Sequence, residues 1–494
     1  MRPGSPAHHA QRRDRRTSMQ ARTTWLSDDE KALIVEEALG ILERVGMRLA
    51  GSRALTALAA QGAVVDEGSG IVRFPPDLVR DAVARCPREF VMGGARPEHD
   101  VRLADGAASR FCSSGCAAFV LDDETGERRL STLDDLRKAT ALLDASPQVD
   151  LIWTTVTAND VPLEVRELVG YFTVLTQSDK HVTFVDSPSQ VEPLLRIRDI
   201  VAGDADAFRE RPRFSTLLTA ASPLQVDGGA LDFHAAMAVH GVPIEVYTIP
   251  MSGATAPVTL AAGITLAIAE FLGVATAIQS LAPGARLLFG ASSNVMDMRS
   301  TRVSYGAPES TLMLAACIEV GHLLGVPVTV PGLGTDAKRP SIQAGYDKAL
   351  KALTTCSAGA DILSGGVGML DSVDLLYLPQ IVIDCEIAGI IRKLLAEATI
   401  SHDEILADMI ERVGPGGHFL AEKDTTRRLR AGVQYTPTVS TRLSYDAWKA
   451  DGRDELAVAR ERTRALLDAR SDWRPALSDD QLRALAAVCG VESA

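Results

Sequence analysis

The sequence predicts an α/β protein built on a closed (β/α)8 barrel, with an N-terminal α/β extension and a C-terminal helical segment. Three observations carry this. Short β-branched runs alternate with helical stretches, which implies a parallel sheet with helices outside it. The runs end in Ser, Asp, Pro or Gly, where strand-to-helix loops belong. Seven or eight such units favour closure over an open sheet.

The elements follow in order. Residues 1–26 hold Arg2, Arg12, Arg13, Arg15, Arg16 and Arg22 with little apolar content. No apolar run follows the arginines, so no secretory or twin-arginine signal is read. The segment reads as a disordered basic tail, or as an upstream start with Met19 as the true one. Residues 27–140 form an N-terminal region packed on the barrel. Ser27 and Glu30 have capping-box spacing, and Ile34, Ala38, Ile41, Leu42 and Val45 keep helical period until Gly46.

The barrel is placed at 141–440. Its strands are read in LIWTTVT (151–157), HVTFVD (181–186), FSTLLTA (214–220), PIEVYT (243–248), LLFGA (287–291), VPVTV (326–330) and DIL (361–363). The eighth is read either in SRFCSSGCAAFVL (109–121) or near GHFL (417–420). Helices are read at 193–201, 230–240, 258–281, 310–324 and 343–358 between them. The 258–281 run is long enough to span a bilayer. Glu270 sits in its middle and it keeps step with the barrel rhythm, so it is read as a core helix, with no membrane association. Residues 441–494 read as charged, amphipathic helix.

Composition narrows function. A net charge of −13 argues against nucleic-acid binding, which needs a basic face. Seven scattered cysteines read as reduced thiols in a cytoplasmic protein. Cys112 and Cys116 form a C-x3-C pair, weak as a metal site, and no metal is assigned. No phosphate loop, nucleophile elbow or HExxH pattern occurs. Only nine histidines are present, which disfavours a hydrolase with a histidine base.

In a parallel barrel the site lies at the C-terminal ends of the strands. Those ends supply Asn159 and Asp160; Asp186 and Ser187; Ser222; Met251, Ser252 and Thr255; Ser293, Asn294, Asp297 and Arg299; Thr335, Asp336 and Lys338; Ser364, Gly365 and Gly366. Each has a plainer reading. Asp160 and Asp186 serve equally well as helix caps, Arg299 as an ion pair and Lys338 as a solvated loop charge.

Several stretches resemble the trimethylamine methyltransferase family: ASPLQVDGGALD (221–232), PMSGATAPVTLAAG (250–263), SSNVMDMRSTRVSYGAPE (292–309) and GTDAKRPSIQAGYDKAL (334–350). VIDCEIAG (382–389), GPGGHFLAEKDTTRRLR (414–430) and VLDDETGERRLSTLDDL (120–136) extend the likeness. The resemblance implies a TIM-barrel enzyme that moves a methyl group from a methylated amine to Co(I) of a separate corrinoid-binding protein. The corrinoid then belongs to the partner, and this chain binds no tight cofactor of its own.

Some members of the family carry pyrrolysine in the loop that matches PGLGTDAK (331–338), at the position of Gly334. Glycine there resembles the branch without pyrrolysine, whose known members act on quaternary amines such as glycine betaine. Ala337 and Ser341 depart from the more usual Ser and Asp. The resemblance makes Gly334, Asp336 and Lys338 the catalytic loop.

A quaternary ammonium has a neutral leaving group and needs no proton donor. It is held by aromatic faces and carboxylates, each cation–π contact contributing about 0.5–2 kcal/mol. Candidates for substrate binding are Trp153, Phe289, Tyr305 and Tyr346, together with Tyr247, and the carboxylates Asp160, Asp297 and Asp336. Arg299, Lys338 or His322 would take a substrate carboxylate. Core packing is the plainer reading of each aromatic. Two rivals stand beside this one: trimethylamine as substrate by a pyrrolysine-free route, and a non-catalytic quaternary-amine binding protein. A homo-oligomer is compatible with all three.

Overall fold

The computed structural model describes residues 18–19, 23–104, 106–184 and 191–491. The chain divides into a large unit, Thr23–Ile391 with Pro437–Ala494, and a small one, Met1–Arg22 with Arg392–Thr436. The basic tail expected at 1–26 falls mostly outside the described residues.

In the large unit, helix α1 (Asp28–Arg44) starts as its sequence demands. The Ser27 hydroxyl accepts from the Glu30 amide at 3.3 Å, and the Glu30 carboxylate accepts from the Ser27 amide at 2.8 Å. The barrel then runs β1 (Arg110–Ser113), α2 (Leu133–Ala145), β2 (Leu151–Trp153), α3 (Arg166–Gln177), β3 (His181–Phe184), α4 (Val191–Ala202), β4 (Phe214–Ala220), α5 (Gly228–Val239) and β5 (Ile244–Thr248). It continues through α6 (Leu260–Leu281), β6 (Leu287–Ala291), α7 (Pro308–Leu323), β7 (Val328–Pro331), α8 (Ile342–Ala358), β8 (Ile362–Val367) and α9 (Leu378–Leu395). All eight strands are parallel, and β8 pairs with β1 to close the ring.

The missing strand is thus Arg110–Ser113, from the first of the two stretches considered. The barrel begins before the 141 boundary read from sequence. GHFL lies in the small unit and is no barrel strand. The strand is hard to read because Arg110 and Ser113 flank only Phe111 and Cys112, too short a run for a period to show.

Sixteen residues of α6 are buried, and its most apolar window is 83% buried within the fold. A helix apolar all round is a core helix when neighbours cover it, and α1 and α5 do so. Glu270 is buried within it and accepts from the Ser222 hydroxyl at 2.8 Å and the Leu224 amide at 3.0 Å. At the opposite end of the barrel from the mouth, a hairpin of Phe90–Met92 and Val101–Leu103 packs Phe90, Met92, Val101 and Leu103 onto Cys112, Leu151 and Ile362. The N-terminal ends of the strands are therefore plugged. Helices Glu455–Asp468 and Asp479–Cys489 cover α2, α3 and α4.

The small unit contains short helices His402–Ile405, Ala407–Val413 and Lys423–Arg430. Arg428 bridges Asp424 at 2.6 Å and Glu404 at 2.5 Å. No residue from 392 to 436 is buried.

Candidate active site at the barrel mouth

Strand β4 shows where the barrel opens. Its outward residues Phe214, Thr216, Leu218 and Ala220 are all buried under helices. Its inward residues grade from Ser215, buried, through Leu217, half-buried, to Thr219, exposed. Register pairs Leu217 with Glu245 and Thr219 with Tyr247, so these share the inner wall. Solvent therefore enters from the C-terminal end, where loop chemistry gathers.

The wall holds two aromatics edge to face. The rings of Trp153 and Tyr247 lie 5.6 Å apart at 77°. The Tyr247 hydroxyl is fixed by Thr329 Oγ1 at 3.2 Å and by the Ser364 hydroxyl. Below them Glu245 is 1% exposed. Its Oε1 accepts from the Thr183 hydroxyl at 2.8 Å and more distantly from Ser215 at 3.4 Å. Its Oε2 has no hydrogen-bond partner. Burial pushes the carboxyl up to about 7, against the pull of Thr183, Ser215 and Trp153. His181 does not neutralise it. Its Nδ1 faces the carbonyls of Gly93 and Pro212, which hold the proton there, and its Nε2 meets Ser215 at 3.0 Å. Burial drops its pKa to about 3, so it stays neutral.

The rim is tied together by Asp336. Its carboxylate accepts from the Ser304 hydroxyl (2.6 Å), the Tyr305 amide (2.8 Å), the Gly306 amide (2.9 Å) and the Ser372 hydroxyl (2.8 Å). The loops after β6, β7 and β8 thus share one anchor. Burial alone would raise its pKa, but these donors outweigh it and hold the carboxyl below its ordinary value. Gly334 is buried in the same loop, and a Cβ there would stand 2.9 Å from Tyr305 Cδ1. Lys351, fully buried on α8, donates to the Tyr305 carbonyl at 2.6 Å from beneath. Burial lowers its pKa to about 8, opposed by Asp336 and Asp347.

The sequence-expected residues separate into two groups. Trp153 and Tyr247 lie buried on the inner wall, 7% and 6% exposed and packed with the core that plugs the far end, while Tyr305, Gly334 and Asp336 form the rim. Lys338 is exposed, donates to the Asp336 carbonyl at 2.7 Å and pairs with Asp371 at 2.6 Å. Asp160 caps α2, accepting from the Leu133 amide at 2.8 Å. Asp297 closes its own turn on the Arg299 amide at 2.7 Å, and Arg299 is exposed on that turn.

Three residues are elsewhere. Phe289 points outward, its ring 4.7 Å from Phe271 on α6, because its neighbours Leu288 and Gly290 take the inward positions. His322 meets Asp361 at 2.9 Å, and Asp361 also takes the Val328 amide, which places the pair at the plugged end. Tyr346 is 52% exposed on α8. Asp186 and Ser187 lie outside the described residues. Cys112 is buried in the plugged end and Cys116 is exposed on the following loop. Sequence reading passed over Glu245. Its signal was present: a lone charge in step with Tyr247 inside an otherwise apolar strand.

The model of the family described as trimethylamine methyltransferase (MTTB) matches residues 2–489. The chain belongs to the trimethylamine methyltransferase family. It is 30% identical to the trimethylamine methyltransferase MttB of Desulfitobacterium hafniense strain DSM 10664 / DCB-2, covering 87% of this chain and 86% of that protein. It is 29% identical to the glycine betaine methyltransferase of Desulfitobacterium hafniense strain Y51, over 90% and 92%. The monomethylamine methyltransferase MtmB of Methanosarcina barkeri shares the fold at a TM-score of 0.51 and 13% identity, over 92% of this chain and 89% of that one. As a member of the trimethylamine methyltransferase family, the chain is a methyltransferase.

Proposed function

We propose that this enzyme moves a methyl group from a betaine-type quaternary amine to the Co(I) of a separate corrinoid protein. The observation that carries the reading is at Gly334. The position that the family resemblance assigns to pyrrolysine has no side chain here, and Tyr305 stands against it. Among the described residues no long amine-activating side chain stands at that position, so on this reading the substrate brings its own leaving group.

A quaternary ammonium does so. The C–N bond breaks with its electron pair on nitrogen, and a neutral tertiary amine departs without a proton. The corrinoid, held by the partner, supplies the nucleophile. This chain's residues bind, orient and exclude water. Trp153 and Tyr247 present ring surface to methylammonium groups, and Leu217 adds apolar wall. Asp336 keeps Tyr305 and the rim loops in one arrangement.

The test is methylation of a reduced corrinoid protein, followed by its visible spectrum. Glycine betaine, carnitine, proline betaine, choline and trimethylamine are supplied in parallel. A betaine is expected to be turned over fastest. Trimethylamine as the best substrate would overturn the reading and install the pyrrolysine-free rival. Binding of a betaine with no transfer to a competent corrinoid protein would leave a binding protein instead.

A further inference from the structure

Glu245 is a carboxylate without a cation. Among the described residues no Lys or Arg side chain meets it, and His181 beside it is neutral. Its Oε2 is orphaned in either protonation state. Ionised, it has no positive charge beside it, and beyond Thr183 and Ser215 only the Trp153 indole favours the charged form. Protonated, it would carry an O–H with no acceptor. Buried polar groups are rarely left this way unless something else completes them. The groups packed around it cannot supply charge. Cys112 on β1 and Tyr247 on its own strand are both held neutral, primarily by burial and also by the carboxylate itself.

The space next to Glu245 is the inner wall of the barrel. Leu217, level with it on β4, keeps partial exposure, while Leu288, level with it on β6, is fully buried, so Glu245 is approached from the β4 side. The edge-to-face pair of Trp153 and Tyr247 stands beside it. A methylated ammonium fits this surrounding better than water does. It cannot donate strong hydrogen bonds, so it gains from aromatic faces, apolar wall and an unsatisfied negative charge together.

We propose that Glu245, with Trp153 and Tyr247, is the seat of the substrate's ammonium group. The assignment rests on the methylated-amine reading above and deepens it: specificity is for positive charge, enforced by one buried carboxylate. The ring faces and Leu217 then set the shape of the methyl groups, and the carboxylate sets their charge.

The experiment is calorimetric titration of the full chain at pH 8 with glycine betaine, tetramethylammonium, trimethylammonium and 3,3-dimethylbutanoate. The last has the shape and carboxylate of glycine betaine with carbon in place of the charged nitrogen. The wild-type protein is expected to bind glycine betaine at least tenfold more tightly than 3,3-dimethylbutanoate. Glu245→Gln is expected to weaken glycine betaine at least tenfold and bring the two ligands within about threefold of each other. On the wild-type protein, affinity for glycine betaine is expected to fall as pH goes from 8 to 6, because Glu245 takes up a proton, while that for 3,3-dimethylbutanoate does not fall with it.

Equal wild-type affinity for the two isosteres, with trimethylammonium and tetramethylammonium bound no more tightly than 3,3-dimethylbutanoate, overturns the assignment. So does a folded Glu245→Gln protein with wild-type affinities. If that variant fails to fold, the isostere ratio and pH dependence of the wild-type protein decide. Discrimination confined to trimethylammonium, lost in Glu245→Gln, would sink the quaternary substrate and keep Glu245 as the seat.

Discussion

Asp336→Ala removes the shared anchor of the rim. The carboxylate accepts four hydrogen bonds between 2.6 and 2.9 Å, two from backbone amides of Tyr305 and Gly306 and two from the hydroxyls of Ser304 and Ser372. A hydrogen bond to a charged group contributes about 1.5–3 kcal/mol, but bonds sharing one acceptor do not add. The site is only half-buried, so water replaces part of the loss. A net cost of about 2–3 kcal/mol is reasonable, a factor of roughly 30–150 in the population of the ordered rim. That cost falls on the loops that hold Tyr305 against Gly334, and the barrel core is untouched. The assay is methyl transfer to a reduced corrinoid protein, with circular dichroism and thermal melting alongside. Turnover is expected to drop at least tenfold while the far-ultraviolet spectrum is kept. Wild-type kcat and KM in a folded Asp336→Ala protein would refute the role given to this carboxylate.

Gly334→Leu forces a Cβ to 2.9 Å from Tyr305 and adds an isobutyl group beyond it. Overpacking of this kind costs about 1–3 kcal/mol, so KM should rise or turnover vanish; an unchanged enzyme would show that Gly334 does not shape the site. Glu270 is raised to about 7, chiefly by burial against the weaker pull of the Leu224 amide and Ser222 hydroxyl. Its folded value lies above its unfolded one, so ionisation destabilises as pH rises from the ordinary carboxyl range to about 7 and is fully felt above it. Glu270→Gln should therefore melt higher than wild type at pH 8 by on the order of 2–3 kcal/mol, and close to it at pH 5; equal melting at both would contradict the buried carboxylate.

The small unit gives the fourth prediction. Leu394, Ile400, Ile405, Ile410, Phe419 and Leu420 are 41–82% exposed. The 392–436 segment carries seven basic and seven acidic residues in a chain of net charge −13. Balanced charge suits a self-complementary contact. We expect a second copy to cover it and sedimentation to show a dimer or larger assembly that Ile410→Asp with Leu420→Asp weakens. A monomer at micromolar wild-type concentration would exclude this.

The barrel was legible because parallel strands buried on both sides read as apolar runs, and helices between them keep their own period. FSTLLTA and LLFGA became β4 and β6 with the boundaries read from sequence. Arg110–Ser113 was legible only as one of two alternatives. It is held by partners on both sides, and four residues carry no period of their own. The N-cap of α1 was fully local, and so was the family likeness.

The site divides along the same line. Which loops reach the mouth follows from strand order, so Asp336 was read as a strand-end residue, Gly334 by resemblance, and Trp153 and Tyr305 as aromatics suited to a cation. Direction was not. Phe289 faces the helices, and its place follows from pairing with β5 and β7. His322 lies at the plugged end because α7 runs back along β6, a turn of the chain that no local pattern records. Glu245 was passed over because a charge in a strand has no value until its neighbours are known. The sequence by itself determined the elements, the family and the glycine at 334, since each depends on residues close along the chain. The tertiary structure decided which side chains face the axis and which carboxylate is left without a cation, since burial and pairing are set by strands distant in sequence and adjacent in space.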